Sequence, residues 1–259
     1  MKITLFQMNL VWEDKEANFK KLENAVIKAI KQGAKALFLP EMSFTGFSMN
    51  IKATAESDYY TLRRVSDICK KYKLAIGFGW VEKCGDKAKN CYTILDENGN
   101  ELSTYTKIHP FSYANEDDYF VKGDKIVRFN INGTELSSVI CYDLRFPELF
   151  QAISKDTNIS AIVIPANWPA KRAEHWHTLL RARAIENQVY IIGINCVGDI
   201  SDVYYSGGSC VINPNGEVEA VADDSELLLY ATLDYDVKAL RNSFPIKKDR
   251  QTGLYKKLL

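Results

Sequence analysis

The sequence predicts an α/β fold in which two mixed β-sheets stack on each other with helices outside. Three observations carry that expectation. Apolar runs of strand length alternate with longer segments whose apolar residues recur at helical spacing. The pairs Asn98-Gly99, Asn132-Gly133 and Asn215-Gly216 mark tight hairpins, because Asn-Gly readily supplies the positive φ angles such turns need. Hairpins make neighbouring strands antiparallel, so the sheets are mixed rather than purely parallel. Finally, Ala36-Leu37-Phe38-Leu39-Pro40 is mirrored by Ala161-Ile162-Val163-Ile164-Pro165. Each is an apolar run ending in proline and a polar loop, the pattern of two similar halves.

Taken in order, residues 2–10 alternate as a strand, and a helix follows from about Lys15 to Gln32. Its apolar face is Phe19, Leu22, Ala25, Val26, Ala29 and Ile30, and Gly33 suits the stop. Ala36–Leu39 is a short strand apolar on both faces, ending at Pro40-Glu41. A helix over about 58–72 places Leu62, Val65, Ile68, Cys69 and Tyr72 on one side, and the strand Ala75–Val81 comes next. After two hairpins, a strand ends at Cys141, and Pro147 sits where a first helical turn tolerates its missing N–H. The strand at 161–164, a helix from about Arg172 to Asn187 and the strand Val189–Asn195 follow. Gly207-Gly208 opens a further strand, and Leu227–Leu233 is the last. The basic tail from about Ile246 to Leu259 has no core pattern of its own. It is expected to fray or to lie on a partner subunit.

Composition narrows the function. No linker or low-complexity segment interrupts the 259 residues, so one domain, 1–259, is expected. Lys+Arg and Asp+Glu both total 33, so no net field recruits nucleic acid or an anionic membrane. The six cysteines include no Cys-x-x-Cys pair and are too sparse for a disulfide scaffold. Gln7, Asn9, Glu13 and Asp14 break up the N-terminal stretch, which lacks the apolar core of a signal peptide. With no apolar run of bilayer length, a cytoplasmic protein is expected.

Three stretches carry chemistry. Cys141, in Val139-Ile140-Cys141-Tyr142-Asp143-Leu144-Arg145-Phe146-Pro147-Glu148, stands at a strand-to-helix elbow. Backbone N–H groups and a helix dipole there can lower a thiol's pKa and supply oxyanion donors. The plain alternative is a buried structural cysteine. Glu41 directly follows an apolar strand, at the sheet edge where α/β proteins commonly hold ligands. Burial there would suit a general base, whereas a solvated loop acid is the plain alternative. Lys107 ends a hairpin strand between Tyr105 and His109-Pro110-Phe111, a setting that can hold an ammonium near a developing oxyanion. His109 supplies a rival mechanism, a Cys/His pair, or else it simply orders its loop.

Together the three stretches resemble the carbon–nitrogen hydrolase (nitrilase) superfamily, whose triad is Glu–Lys–Cys in this order. The resemblance continues through Pro165-Ala166-Asn167-Trp168-Pro169 and Arg181-Ala182-Arg183-Ala184-Ile185-Glu186-Asn187-Gln188. It implies a four-layer α-β-β-α sandwich that pairs into a homodimer through its helices. It also implies Glu41 as general base, Lys107 as oxyanion stabiliser and Cys141 as nucleophile. The family has a second glutamate between lysine and cysteine, and Glu116 is the match, with Asp117 and Asp118 beside it. The Tyr142 backbone N–H would be a further oxyanion donor. The resemblance implies no cofactor, and His175 and His177 fall on different helix faces, so no metal is expected.

The residues after the nucleophile, with Ala166-Asn167-Trp168-Pro169, look most like the omega-amidase branch. That branch releases ammonia from the terminal amide of 2-oxoglutaramate and 2-oxosuccinamate. Arg145 is then the candidate for the substrate carboxylate, since a guanidinium grips carboxylates in bidentate fashion. A structural salt bridge with Glu148 or Glu174 is its alternative. Phe47 and Trp168 are candidate pocket walls. Three rivals stay open: an amidase, carbamoylase or nitrilase of another branch; a non-catalytic binding protein; and a thiol-redox sensor pairing Cys141 with Cys196 or Cys210.

Overall fold

The computed structural model describes residues 1–258. Its first sheet holds β1 (Lys2–Gln7), β2 (Ala36–Phe38), β3 (Ala75–Cys84), β4 (Lys87–Leu95) and β5 (Glu101–Thr106). The second holds β6 (Phe129–Ile131), β7 (Thr134–Ser138), β8 (Ala161–Ala166) and β9 (Tyr190–Asn195). A separate hairpin, β10 (Val197–Ile200) and β11 (Val203–Ser206), follows. The second sheet is then completed by β12 (Cys210–Ile212) and β13 (Val218–Val221), and β14 (Leu227–Thr232) returns to the first. The strand orders are β14-β1-β2-β3-β4-β5 and β13-β12-β9-β8-β7-β6.

Both sheets share one plan. Parallel triplets, β1-β2-β3 and β7-β8-β9, form their centres, and antiparallel strands flank them. The two apolar runs that mirror each other in the sequence occupy the same place, the middle of each triplet. On β2, Ala36 and Phe38 face the interior between the sheets with Ile3, Leu5, Leu136 and Val163. Leu37 and Leu39 face outward against Phe19, Leu22 and Val26 of the helix Lys15–Lys31. Such burial stabilises by roughly 1.5–3 kcal/mol per large apolar side chain, which is why these strands read as unbroken apolar runs. The α/β sandwich with two mixed sheets and flanking helices is the architecture expected.

Several boundaries moved. The first strand ends at Gln7 rather than residue 10. Gln7 turns its amide to the Asp223 and Ser225 carbonyls, and Met8 accepts instead from the Val197 N–H at 2.9 Å. Ile30, expected on the buried face of the first helix, is 36% exposed. The helix expected over 58–72 runs Tyr60–Tyr72, and the one from about Arg172 runs Ala173–Asn187. The tail is tied down by cations rather than by a core. Lys247 Nζ lies 2.7 Å from the Ser154 carbonyl, and Arg250 Nη2 lies 2.8 Å from that of Glu186. Both carbonyls belong to helix C-terminal turns, where the helix dipole favours positive charge. Beyond them a short exposed helix, Thr252–Leu258, closes the described chain, and Leu259 lies outside it. Among the described residues no helix is long and apolar enough to cross a membrane.

Candidate active site

Glu41 follows β2 after Leu39-Pro40. A tight turn holds it there, with Met42 at φ 44° and Ser43 bonded to both the Pro40 carbonyl and the Gly79 N–H. Gly79 is required beneath that turn, since a Cβ there would stand 2.3 Å from the Met42 nitrogen. Lys107 directly follows β5, its backbone pinned by Asn90 and Gly123. Glu116 begins a single helical turn, Glu116–Tyr119. It is fully buried while Asp117 and Asp118 are exposed.

These groups converge. Lys107 Nζ is 2.8 Å from Glu41 Oε1 and 2.8 Å from Glu116 Oε2, with all three side chains sealed from solvent. Asn90 Nδ2 donates to Glu41 Oε1 at 2.8 Å and to Glu116 Oε1 at 2.9 Å. The Phe111 N–H donates to Glu116 Oε2, and the Asn167 N–H to Glu41 Oε2 at 3.0 Å. Burial alone would lower the Lys107 ammonium, but the facing carboxylates Glu116 and Glu41 outweigh it and raise it above the ordinary lysine range. Burial pushes the Glu116 carboxyl up, against the pull of Lys107.

Cys141 opens a turn of 3₁₀ helix, Cys141–Arg145, and Pro147 starts the following α-helix as expected. Its φ of 47° is a left-handed conformation that non-glycine residues rarely adopt, the kind of strain that gathers at functional positions. The expectation of a depressed thiol pKa fails. Burial, and then the negative charge of Glu41, push the Cys141 thiol well above its ordinary value. The 3₁₀ turn separates it from the α-helix, so proximity to a helix dipole does not rescue it.

His109 has partners other than Cys141. Its Nδ1 is 2.7 Å from Asp143 Oδ1, and its ring stacks on Phe146 at 3.8 Å. Asp143, fully buried, also accepts from the His109 and Ile140 N–H groups and from the Tyr105 hydroxyl. It thereby ties the turn that Cys141 opens to the loop that carries Lys107. His109 orders this loop, the second of its two expected roles.

Above the cluster lies a cavity of about 300 Å³ with Cys141 and Lys107 in its wall. All four residues expected to contact substrate, Phe47, Tyr142, Arg145 and Trp168, line it. Arg145 packs its guanidinium 4.7 Å over the Trp168 ring, and its recorded polar neighbour is His175 Nδ1 at 3.3 Å. The salt bridge to Glu148 or Glu174 is not formed. Burial, and then the like charge of Arg172, lower its pKa. Arg172 lines the same cavity, 5.3 Å over the Phe111 ring. No aspartate or glutamate lines it; its charged walls are Lys107, Arg145, Lys171 and Arg172.

Sequence reasoning missed Asn90, Asp143 and Arg172, and gave Asn167 no role beyond its motif. The hairpin β10–β11, whose Val203 and Tyr205 close one side of the cavity, was missed as well. Its turn residues Ser201 and Asp202 take φ 46° and 63° without any glycine to announce them.

Residues 2–242 match the sequence profile of the carbon-nitrogen hydrolase family. The chain belongs to that family. Among relatives of this carbon–nitrogen hydrolase is an omega-amidase of Yersinia enterocolitica, 34% identical, with 96% of each chain covered. A 2-oxoglutaramate amidase of Bacillus subtilis is 33% identical, with 98% of each covered. An amidase from Nesterenkonia sp. AN1 superposes with a TM-score of 0.90 at 25% identity over all of both chains. The matched structure is of a point mutant of that amidase in which acrylamide has added to the active-site cysteine.

Proposed function

We propose that this carbon–nitrogen hydrolase is a thiol amidase acting on small linear amides that carry a carboxylate at the far end, such as 2-oxoglutaramate or 2-oxosuccinamate. One observation carries the reading. A single cavity is lined by Cys141 and Lys107 and also by the cations Arg145 and Arg172, with no acid in its lining. An amide carbonyl meets the nucleophile while its distal carboxylate meets the guanidinium pair. The names of the relatives point to the same substrate class.

The chemistry follows from the contacts. Glu41 takes the thiol proton as Cys141 Sγ attacks the amide carbon, which compensates for a thiol that burial keeps neutral. One N–H of Lys107 holds Glu41 and a second is shared between the two oxygens of Glu116, which leaves the third for the tetrahedral oxyanion, with the Tyr142 backbone N–H as second donor. Such a donor contributes about 3 kcal/mol to the transition state. Glu41 returns its proton to the leaving nitrogen, the C–N bond breaks, and ammonia departs from a Cys141 thioester. Water that gives its proton to Glu41 then attacks the thioester and releases the acid, the proton returning to the thiolate. Glu116 holds Lys107 in place throughout.

On the same reading the enzyme is a cytoplasmic, single-domain protein that forms a homodimer through its helices, and light scattering of the purified protein tests the dimer. An ammonia-release screen tests the function. Omega-amides of 2-oxo acids are expected to turn over faster than neutral amides, carbamoyl amino acids or nitriles. Preference for neutral amides would refute the carboxylate reading, and silence on every amide would refute the amidase.

A further inference from the structure

Asn90 lies on β4, buried beneath the charged cluster. Its backbone carbonyl accepts from the Lys107 N–H at 2.9 Å, and its side-chain nitrogen touches both carboxylates that flank the ammonium. An amide nitrogen only donates, so both N–H groups point at carboxylate oxygens. The reverse orientation would set Oδ1 against the same two oxygens. The arrangement has a cost, because the buried Oδ1 finds no partner.

Counting acceptors shows what this achieves. Glu116 accepts from Lys107 at both oxygens, from Asn90 at Oε1 and from the Phe111 N–H at Oε2, so it has no oxygen left for another proton. Glu41 accepts from Lys107 and Asn90 at Oε1 and from Asn167 at Oε2. One acceptor position remains, on Oε2. We infer that Asn90 is a positioning residue that selects the working base: by occupying one site on each carboxylate, it leaves Oε2 of Glu41 as the single oxygen open to the Cys141 proton. This rests on Glu41 being the base of the proposed reaction.

Removing the amide takes a donor from each carboxylate, and burial then favours their protonated forms. The other titratable groups facing the pair are Lys107, Cys141, Cys196 and Tyr205. None of them replaces a donor lost at Oε1. The acid limb of activity therefore moves to higher pH.

The test is the rate at which iodoacetamide alkylates Cys141, followed by peptide mass spectrometry from pH 4 to pH 9 in wild type, Asn90→Leu and Glu41→Gln. It needs no substrate. Wild type should show an acid limb that Glu41→Gln abolishes along with most of the rate. In Asn90→Leu that limb is expected about one pH unit higher, typical of a lost hydrogen bond to an ionised group. With substrate, kcat is expected to fall about tenfold or more at neutral pH with KM changed less than about twofold. If Asn90→Leu folds poorly, Asn90→Ser gives the same comparison with a smaller side chain. A wild-type limb in a folded Asn90 variant overturns the inference. A limb that survives Glu41→Gln overturns the underlying assignment of the base instead.

Discussion

Glu41 and Asn167 stand each just past the middle strand of its sheet and grip each other across the sandwich. The Asn167 N–H donates to Glu41 Oε2 at 3.0 Å, and its side-chain Nδ2 donates to the Glu41 carbonyl at 2.7 Å. The repeated apolar run thus delivers Glu41 and the residue that grips it to one point. Asn167→Ala keeps the backbone donor but strips a buried carbonyl of its partner. It is expected to destabilise the protein by about 1–3 kcal/mol and to lower kcat with little change in KM, as read by urea melts and steady-state kinetics. Unchanged kcat would reduce the pairing to a structural tie.

Cys141 is expected to be the one essential cysteine. All six are free, but this one alone opens the strained turn and lines the cavity. Cys141→Ala should abolish turnover. Cys84→Ser, at a half-buried position at the end of β3, should keep near-full activity. Turnover that persists in Cys141→Ala would end the thioester mechanism.

Lys107 is held by two carboxylates and reaches the cavity, so its loss should be felt where the oxyanion forms. Lys107→Met is expected to cut kcat by about 10²–10³-fold and to change KM far less, because the contact strengthens in the transition state. Two buried carboxylates also lose their counter-ion, so thermal unfolding must accompany the kinetics. A folded variant with wild-type kcat would make Lys107 purely structural.

What was legible in the sequence follows from local physics. The doubly buried strands announce themselves as apolar runs, and the hairpins at Asn98-Gly99 and Asn132-Gly133 announce themselves by residues that tolerate positive φ. Glu41, Lys107 and Cys141 stand out because each ends or follows such an element and matches a known motif. Asn90 gave no such signal, since an asparagine inside a strand looks neutral until its neighbours across three loops are known. Asp143 sat within a quoted motif, but its four hydrogen-bonding partners lie on residues 105, 109 and 140. The thiol's pKa was misjudged for the same reason: an elbow suggested donors, whereas three-dimensional burial and a facing carboxylate decide the direction.

Arg172 shows how a residue of the cavity wall hides. It closes a 3₁₀ turn, Ala170–Arg172, just after Asn167-Trp168-Pro169, and looks like an ordinary basic residue at a helix start. The fold sets it in the lining of the same cavity as Arg145, where burial and then its positive charge lower the Arg145 pKa. Two half-buried guanidiniums without carboxylate partners gain most from an anion that bridges them. Arg145→Lys keeps the charge and loses the planar fork, while Arg172→Gln removes the charge. Each is expected to lower kcat/KM for 2-oxosuccinamate by about tenfold to a hundredfold, the weight of a hydrogen bond to a charged group of about 1.5–3 kcal/mol. A neutral amide of similar length should be nearly indifferent to both. Equal losses on the two substrates would mean that the arginines shape the wall and that the carboxylate is held elsewhere. A loss confined to Arg145→Lys would leave Arg172 outside recognition, its guanidinium serving only the Phe111 and Tyr113 rings it covers.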